Sequence, residues 1–159
     1  MEDRDCRPIE NLVRRFRHAL DTAKDDGVLH EGRFLEFPRG CCDDACDLLA
    51  RYLRENGVET ECAYGTYWAE NGIDRQSHAW LRLITNSDYI IDITGDQFKN
   101  FSDPLCFSCN VYCGSMNKFY RLFAVEKCYE AGKIESYNEP VRGVLFRTYD
   151  AVVNHLDIN

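Results

Sequence analysis

The chain has 159 residues, 45% of them hydrophobic, which is enough for one sizeable core and leaves no room for a second catalytic domain. Its 19 Lys and Arg residues against 27 Asp and Glu residues give a net charge of -8, which disfavours binding to nucleic acid or to anionic lipid. No apolar run approaches the ~20 residues of a membrane span, and the first ten residues lack the basic-then-apolar order of a signal peptide. We therefore expect a cytoplasmic protein that binds neither nucleic acid nor membrane.

The first predicted element is an amphipathic helix over residues 9–23, where apolar residues recur at intervals of three and four. The same intervals predict a second helix over residues 41–56, which Gly57 ends. Asp43 and Asp44 stand in its first turn, where the helix dipole favours negative charge. Cys41 and Cys42 therefore lie at the N-terminus of the second helix.

The following part of the chain predicts a sheet. Segments rich in aromatic and β-branched residues are separated by turn sequences, which indicates antiparallel strands. These strands are predicted at residues 59–68, 77–84 and 89–94, with further ones at 111–113 and 119–125. Residues 142–156 predict a closing helix. The expected fold is a single α+β domain over residues 1–159, with the N-terminal helices packed on the sheet.

Nine cysteines is an odd number, so complete intramolecular pairing is impossible and reduced thiols are expected. Cys42 is singled out because the apolar stripe of the second helix extends back to it, so its sulfur should face the sheet. A helix N-terminus also favours the thiolate form. Cys41 points about 100° further round the helix. Asp43 and Asp44 oppose a nearby thiolate unless they are paired or turned to solvent.

A histidine and a carboxylate lie on neighbouring strands. We expect a three-residue turn that pairs Ile84 with Asp88. This register places Asp92 opposite Trp80 and diagonal to His78, within reach of the imidazole. Asp92 also lies in an apolar strand, where an unpaired charge is costly, so it needs a hydrogen-bond partner.

These residues predict a nucleophile, a base and an orienting acid. Cys42 attacks a carbonyl, His78 moves its proton, and Asp92 holds the imidazole in the useful tautomer. The backbone N–H of Cys42 is one donor for the oxyanion. The sequence leaves the second donor open among three side chains with suitable groups: Tyr64, Tyr67 and Gln97.

Three segments together resemble the core of the transglutaminase-like cysteine hydrolases of the papain-like superfamily. They are GCCDDACDLL at 40–49, SHAW at 77–80 and IDIT at 91–94. The resemblance covers about residues 38–98 and implies a papain-like fold with a Cys42–His78–Asp92 triad and no cofactor. It implies an acyl-transfer enzyme acting on a peptide or protein, by amide hydrolysis, deamidation or transfer to an amine. The chain departs from papain-type proteases at Glu36, where those enzymes carry an oxyanion glutamine.

Two other readings stay open. The chain is alternatively a non-catalytic interaction domain of the same fold, in which the three residues are ordinary structural ones. It is alternatively a zinc-stabilised binding module, with thiolates drawn from Cys106, Cys109, Cys113 and Cys128. The acidic net charge favours a basic or neutral substrate. The oligomeric state is not indicated.

Overall fold

The helices of the computed structural model, which describes residues 6–156, follow the predicted order. They are α1 (Arg7–Asp25), α2 (Cys42–Glu55), a short α3 (Lys118–Arg121) and α4 (Val141–Leu156). The predicted helices at 9–23, 41–56 and 142–156 are confirmed as α1, α2 and α4. Within residues 6–156, no helix combines the length and the apolar character needed to cross a bilayer.

Five antiparallel strands form one sheet, so the α+β class is confirmed. The strands are β1 (Thr60–Trp68), β2 (Arg75–Leu83), β3 (Asn86–Asp92), β4 (Tyr112–Ser115) and β5 (Ala124–Glu130). Their order across the sheet is β4-β3-β2-β1-β5. The two shortest-range hairpins, β1–β2 and β2–β3, therefore occupy the centre, and β4 and β5 form the edges.

The strand predicted at 119–125 is wrong in its first half. Residues 118–121 are helical, because the side chain of Asn117 accepts a hydrogen bond of 3.2 Å from the backbone N–H of Tyr120 and so starts a helical turn. Only from Ala124 does the chain enter β5. The aromatic composition that suggested a strand reflects burial of Phe119, Tyr120 and Phe123 instead.

Each face of the sheet has its own hydrophobic cluster. The first cluster joins α1, α2 and α4 to one face, through strand residues such as Ala79, Leu81 and Ile91. The second cluster lies on the opposite face and is mainly aromatic, with members Trp80, Phe98, Phe119, Tyr120 and Phe123 among others. Neighbouring residues of β2 point to opposite faces, so the two clusters share this strand.

The β2–β3 ladder has the register expected from the sequence, but its turn differs. Leu81 pairs with Ile91 and Arg82 pairs with Ile90. The predicted three-residue turn is wrong: Leu83 pairs with Asn86, so two residues connect the strands and an irregularity after Arg82 absorbs the difference. Towards the N-terminal end of β2, pairing with β3 stops at Leu81. His78 lies in the part of β2 before Leu81, which does not pair with β3.

Candidate active site

The site begins at the N-terminus of α2. Gly40 has a φ of +72°, a left-handed conformation that favours glycine, and it turns the chain into the helix at Cys42. Arg33 then pairs with both acidic residues of the first turn, at 2.9 Å from Asp44 and 3.3 Å from Asp43. The two carboxylates beside Cys42 are therefore both paired, as the sequence required if they are not to oppose a thiolate at this position.

The two adjacent cysteines have different surroundings. Cys41 is 0% exposed and belongs to the first cluster, where burial raises the pKa of its thiol. Cys42 is partly exposed, and its thiol is close enough to His78 to raise the pKa of the imidazole. The sulfur in contact with a proton acceptor is therefore that of Cys42.

His78 is fully buried on the aromatic face of the sheet. Its Nε2 lies 2.8 Å from Oδ2 of Asp92, which fixes the hydrogen on that nitrogen. Nδ1 is the ring nitrogen that does not contact Asp92, and Nε2 of Gln97 lies 3.2 Å from it. The ring is enclosed by five aromatic rings at centroid distances of 5.1 to 6.4 Å: Trp80, Phe98, Phe119, Tyr120 and Phe123.

The carboxylate of Asp92 accepts four hydrogen bonds. Oδ2 accepts from His78 and, at 2.8 Å, from the hydroxyl of Tyr120. Oδ1 accepts from the backbone N–H of Thr94 at 2.9 Å and from its hydroxyl at 3.3 Å. Burial raises the pKa of Asp92, but the charge of His78 and these hydrogen bonds outweigh it, and the net pKa is lowered. The partner that the sequence required for Asp92 is thus present.

The protonation of His78 follows from the same contacts. Burial lowers the pKa of the imidazole, but the negative charge of Asp92, the hydrogen bond to Asp92 and the neighbouring Cys42 thiol raise it more strongly, to about 10. His78 therefore holds a proton firmly when Asp92 is ionised. This is the property needed in a group that takes a proton from a thiol.

Of the three side chains proposed as a second oxyanion donor, only Gln97 contacts His78. Its amide also donates to the Thr94 carbonyl at 3.0 Å. Tyr64 pairs with Ala79 on the opposite face of the sheet and lies under Lys127. Tyr67 packs against the edge of Phe123.

Two residues of this network were missed from the sequence. Tyr120 lies 28 residues from Asp92, and no local pattern connects them. Arg17 could have been recognised from the sequence, because it is a charged residue on the apolar stripe of α1, three residues before Leu20. A charged residue on a buried helix face needs partners, and Arg17 is only 6% exposed.

Arg17 ties α1 to the segment that follows Asp92. Its guanidinium donates to both carboxylate oxygens of Asp96, at 2.8 and 2.9 Å, and to the carbonyl of Ile93 at 2.6 Å. Further hydrogen bonds reach the Asn110 carbonyl at 3.1 Å and Asp21 at 3.0 Å. Arg17 therefore holds this segment, which carries Thr94 and Gln97, through Ile93 before Gly95 and through Asp96 after it.

The thiols considered for zinc are not brought together. Cys113 lies on β4 and Cys128 on β5, the two edges of the sheet, four strand spacings or about 19 Å apart. The sulfur of Cys128 instead accepts from Arg82 at 2.9 Å. Among residues 6–156 no group of three or more His, Cys, Asp and Glu side chains is arranged to hold a metal ion. The four-thiolate hypothesis was wrong.

Comparison with known proteins gives similarity to YuaU of Escherichia coli. The chain is 35% identical over 93 residues to the protein of strain K12 and 34% identical over 93 residues to that of strain UTI89, both described as uncharacterized. The matched region is 57% of this chain and 42% of each relative, so it spans less than half the length of the relatives. No family model matches the chain, and no solved structure matches it.

Proposed function

We propose that the chain is a thiol-dependent acyl-transfer enzyme of the transglutaminase-like, papain-like type. Cys42 is the nucleophile, His78 the base and Asp92 the acid that orients the imidazole. The observation that carries the proposal is the arrangement of the three side chains: the Cys42 thiol is close enough to His78 to raise the pKa of the imidazole, and Nε2 of that imidazole lies 2.8 Å from Oδ2 of Asp92.

The first half-reaction forms a thioester. With the pKa of His78 raised to about 10, the proton given up by the Cys42 thiol is already held on Nδ1 of the imidazole, and the sulfur attacks the carbonyl carbon of an amide or ester. The C–S bond forms as the carbonyl π electrons move to oxygen. When the tetrahedral intermediate collapses, the bond to the leaving group breaks and His78 gives its proton to that group. An acyl group then remains on Cys42.

The second half-reaction releases the acyl group. Water or an amine attacks the thioester while His78 accepts its proton, and the Cys42 sulfur leaves and is reprotonated. We propose hydrolysis as the main outcome and a peptide or protein as the substrate. The cytoplasm is the proposed location, because a reducing compartment keeps thiols available for this chemistry.

Stabilisation of the oxyanion is assigned to the tip of α2. The first N–H groups of a helix have no partner within it, and the helix dipole favours negative charge at this end. The N–H of Cys42 is the first of them, since α2 begins at this residue. Removing one such donor costs about 10²–10³ in rate in characterised enzymes.

Reaction with p-nitrophenyl acetate tests the proposal. We expect a burst of p-nitrophenolate, an acetyl group on Cys42 identified by peptide mapping, and its release by hydroxylamine. The His78→Ala variant should lose the burst. The Cys128→Ser variant, which removes an exposed thiol on the edge strand β5, should retain it. Acetylation spread evenly over the exposed cysteines, or unchanged by loss of His78, would contradict the proposal and favour a non-catalytic interaction domain.

A further inference from the structure

A cleft of about 600 Å³ opens beside the candidate active site. One wall is residues 36–39, which lead into α2, and the other is residues 96–101, which follow the Asp92 strand. Gln97 belongs to the second wall and also contacts Nδ1 of His78 at 3.2 Å. The cleft is therefore continuous with the hydrogen-bond network of the site.

The cleft is positively charged although the chain is acidic. Its lining includes three cations, Lys24, Arg39 and Lys99, and two carboxylates, Glu36 and Asp96. Both oxygens of Asp96 accept hydrogen bonds from Arg17, which brings a fourth cation and neutralises this carboxylate. Arg17 also pairs with Asp21 at 3.0 Å, so four positive groups stand against three negative ones, in a chain of net charge -8.

Two of the cations are available to a ligand. Lys24 is engaged, since its ammonium donates to the Phe37 carbonyl and holds the wall in place. Arg39 and Lys99 are exposed, one on each of the two segments that line the cleft, and neither forms an ion pair with another residue in 6–156. Two cations across a cleft make a site for an anion, because each attracts it and neither is already neutralised.

We infer that the enzyme takes acyl substrates that carry a carboxylate near the bond attacked by Cys42, with Arg39 and Lys99 binding the carboxylate. This inference rests on the proposed function, since it names the substrate class of the same site. It reverses the expectation of a basic or neutral substrate, which followed from net charge. The total charge of the chain does not describe the charge of the cleft.

Alkylation of the thiols with iodoacetate and with iodoacetamide provides the test. In both reagents the cysteine sulfur attacks the CH₂ carbon, a C–S bond forms and iodide leaves. The reagents differ in bearing a carboxylate or a neutral amide. The readout is the ratio of their rates at Cys42, measured by peptide mapping, with free 2-mercaptoethanol as the reference thiol, since the sulfur of Cys106 contacts the Lys99 carbonyl at 3.6 Å.

We expect the iodoacetate to iodoacetamide ratio to be several-fold higher at Cys42 than for 2-mercaptoethanol. It should fall several-fold in the Arg39→Gln/Lys99→Gln variant. Arg15→Gln removes an exposed cation of α1 outside the cleft and should leave the ratio unchanged. In the unmodified protein the ratio should also fall as salt rises from about 0.01 M to about 1 M, which shortens the Debye length from about 30 Å to about 3 Å.

The outcomes separate the two proposals. If Cys42 reacts faster than 2-mercaptoethanol with both reagents but its ratio responds neither to the double substitution nor to salt, the carboxylate inference is overturned and the proposed function stands. If Cys42 reacts with both reagents no faster than 2-mercaptoethanol, the proposed function fails and the inference fails with it.

Discussion

Tyr120 donates a hydrogen bond of 2.8 Å to the same carboxylate oxygen of Asp92 that accepts from His78. The other oxygen is held by Thr94. The carboxylate is therefore fixed in rotation by groups on both sides, and the imidazole has one position in which its Nε2–H meets Oδ2. Tyr120 acts on the site through Asp92, as a positioning residue.

Replacing Tyr120 with Phe should lower the free energy of unfolding by about 1.5–3 kcal/mol, because a buried carboxylate loses one donor. It should also slow acetylation of Cys42, because the imidazole is less well aligned. Urea denaturation and the p-nitrophenolate burst measure the two effects. Tyr112→Phe is the control: this tyrosine belongs to the same cluster, but its hydroxyl donates to the Ser115 carbonyl. A Cys42 acetylation rate equal in both variants would contradict the positioning role.

The His78–Asp92 pair predicts how stability depends on pH. The folded-state pKa of His78 is raised from 6.5 to about 10, so its contribution is fully present below pH 6.5 and is lost as pH rises towards 10. The pKa of Asp92 is lowered from 3.8, so its contribution is present above pH 3.8 and is lost as pH falls below it. The His78–Asp92 pair therefore stabilises the fold most between about pH 3.8 and about pH 6.5.

The measurement compares urea unfolding of the unmodified protein and the His78→Gln variant. The difference between their free energies of unfolding should shrink as pH rises from about 6.5 to about 10. His18→Gln, which removes an exposed histidine of α1, controls for the loss of a histidine as such. A difference that stays constant over this interval would show that the imidazole is not held in its charged form.

Substitution of the two adjacent cysteines separates reactivity from packing. Cys42→Ser should abolish acetylation with a small effect on stability, because this thiol is partly exposed. Cys41→Ser should retain the burst but lower the free energy of unfolding by about 1–3 kcal/mol, because it places a hydroxyl in the apolar core. Loss of the burst in a folded Cys41→Ser protein would indicate that Cys41, and not Cys42, is the nucleophile.

Arg17→Met should cost about 3 kcal/mol of stability, because it leaves the Asp96 carboxylate and two carbonyl groups without their donor. It should also slow the burst, since the segment after Asp92 loses its anchor. The control is Arg14→Met on the same helix, where an exposed pair with Glu10 contributes about 0–1 kcal/mol. Equal loss of stability in both variants would show that Arg17 does not anchor the segment that follows Asp92.

Gly95 is predicted to be intolerant of a side chain. A Cβ at this position would lie 2.7 Å from the Phe107 ring and 3.1 Å from Oδ2 of Asp92. Gly95→Ala should therefore cost about 1–3 kcal/mol and slow the burst. Adding Phe107→Leu to Gly95→Ala relieves the first of these contacts, and part of the lost stability should return in thermal unfolding. A double variant no more stable than Gly95→Ala would show that the Phe107 contact is not the cause.

The sequence predicted the main helices and the central hairpins because their periodicities are local. The intervals of three and four in α1, α2 and α4 need no tertiary information, and neither does the alternation in β1 to β3. The β2–β3 register was also predicted correctly, although the three-residue turn assumed for it is a two-residue turn followed by an irregularity between Arg82 and Leu83.

The supporting residues depended on contacts between distant parts of the chain. Tyr120 reaches Asp92 only because α3 lies on the aromatic face, and α3 was itself mistaken for a strand. The cleft forms between residues 36–39 and 96–101, two loops without a periodic pattern. Arg17 was the exception, because a charged residue on the buried stripe of a helix is visible in the sequence.

The ring of aromatic side chains around His78 has a spectroscopic consequence. Ring currents from five neighbours act on its carbon-bound protons, so their NMR resonances should be displaced from those of the other three histidines, at positions 18, 30 and 155. The buried imidazole therefore carries its own isolated signal. Chemistry at Cys42 can be followed by observing that signal, without a label on the sulfur.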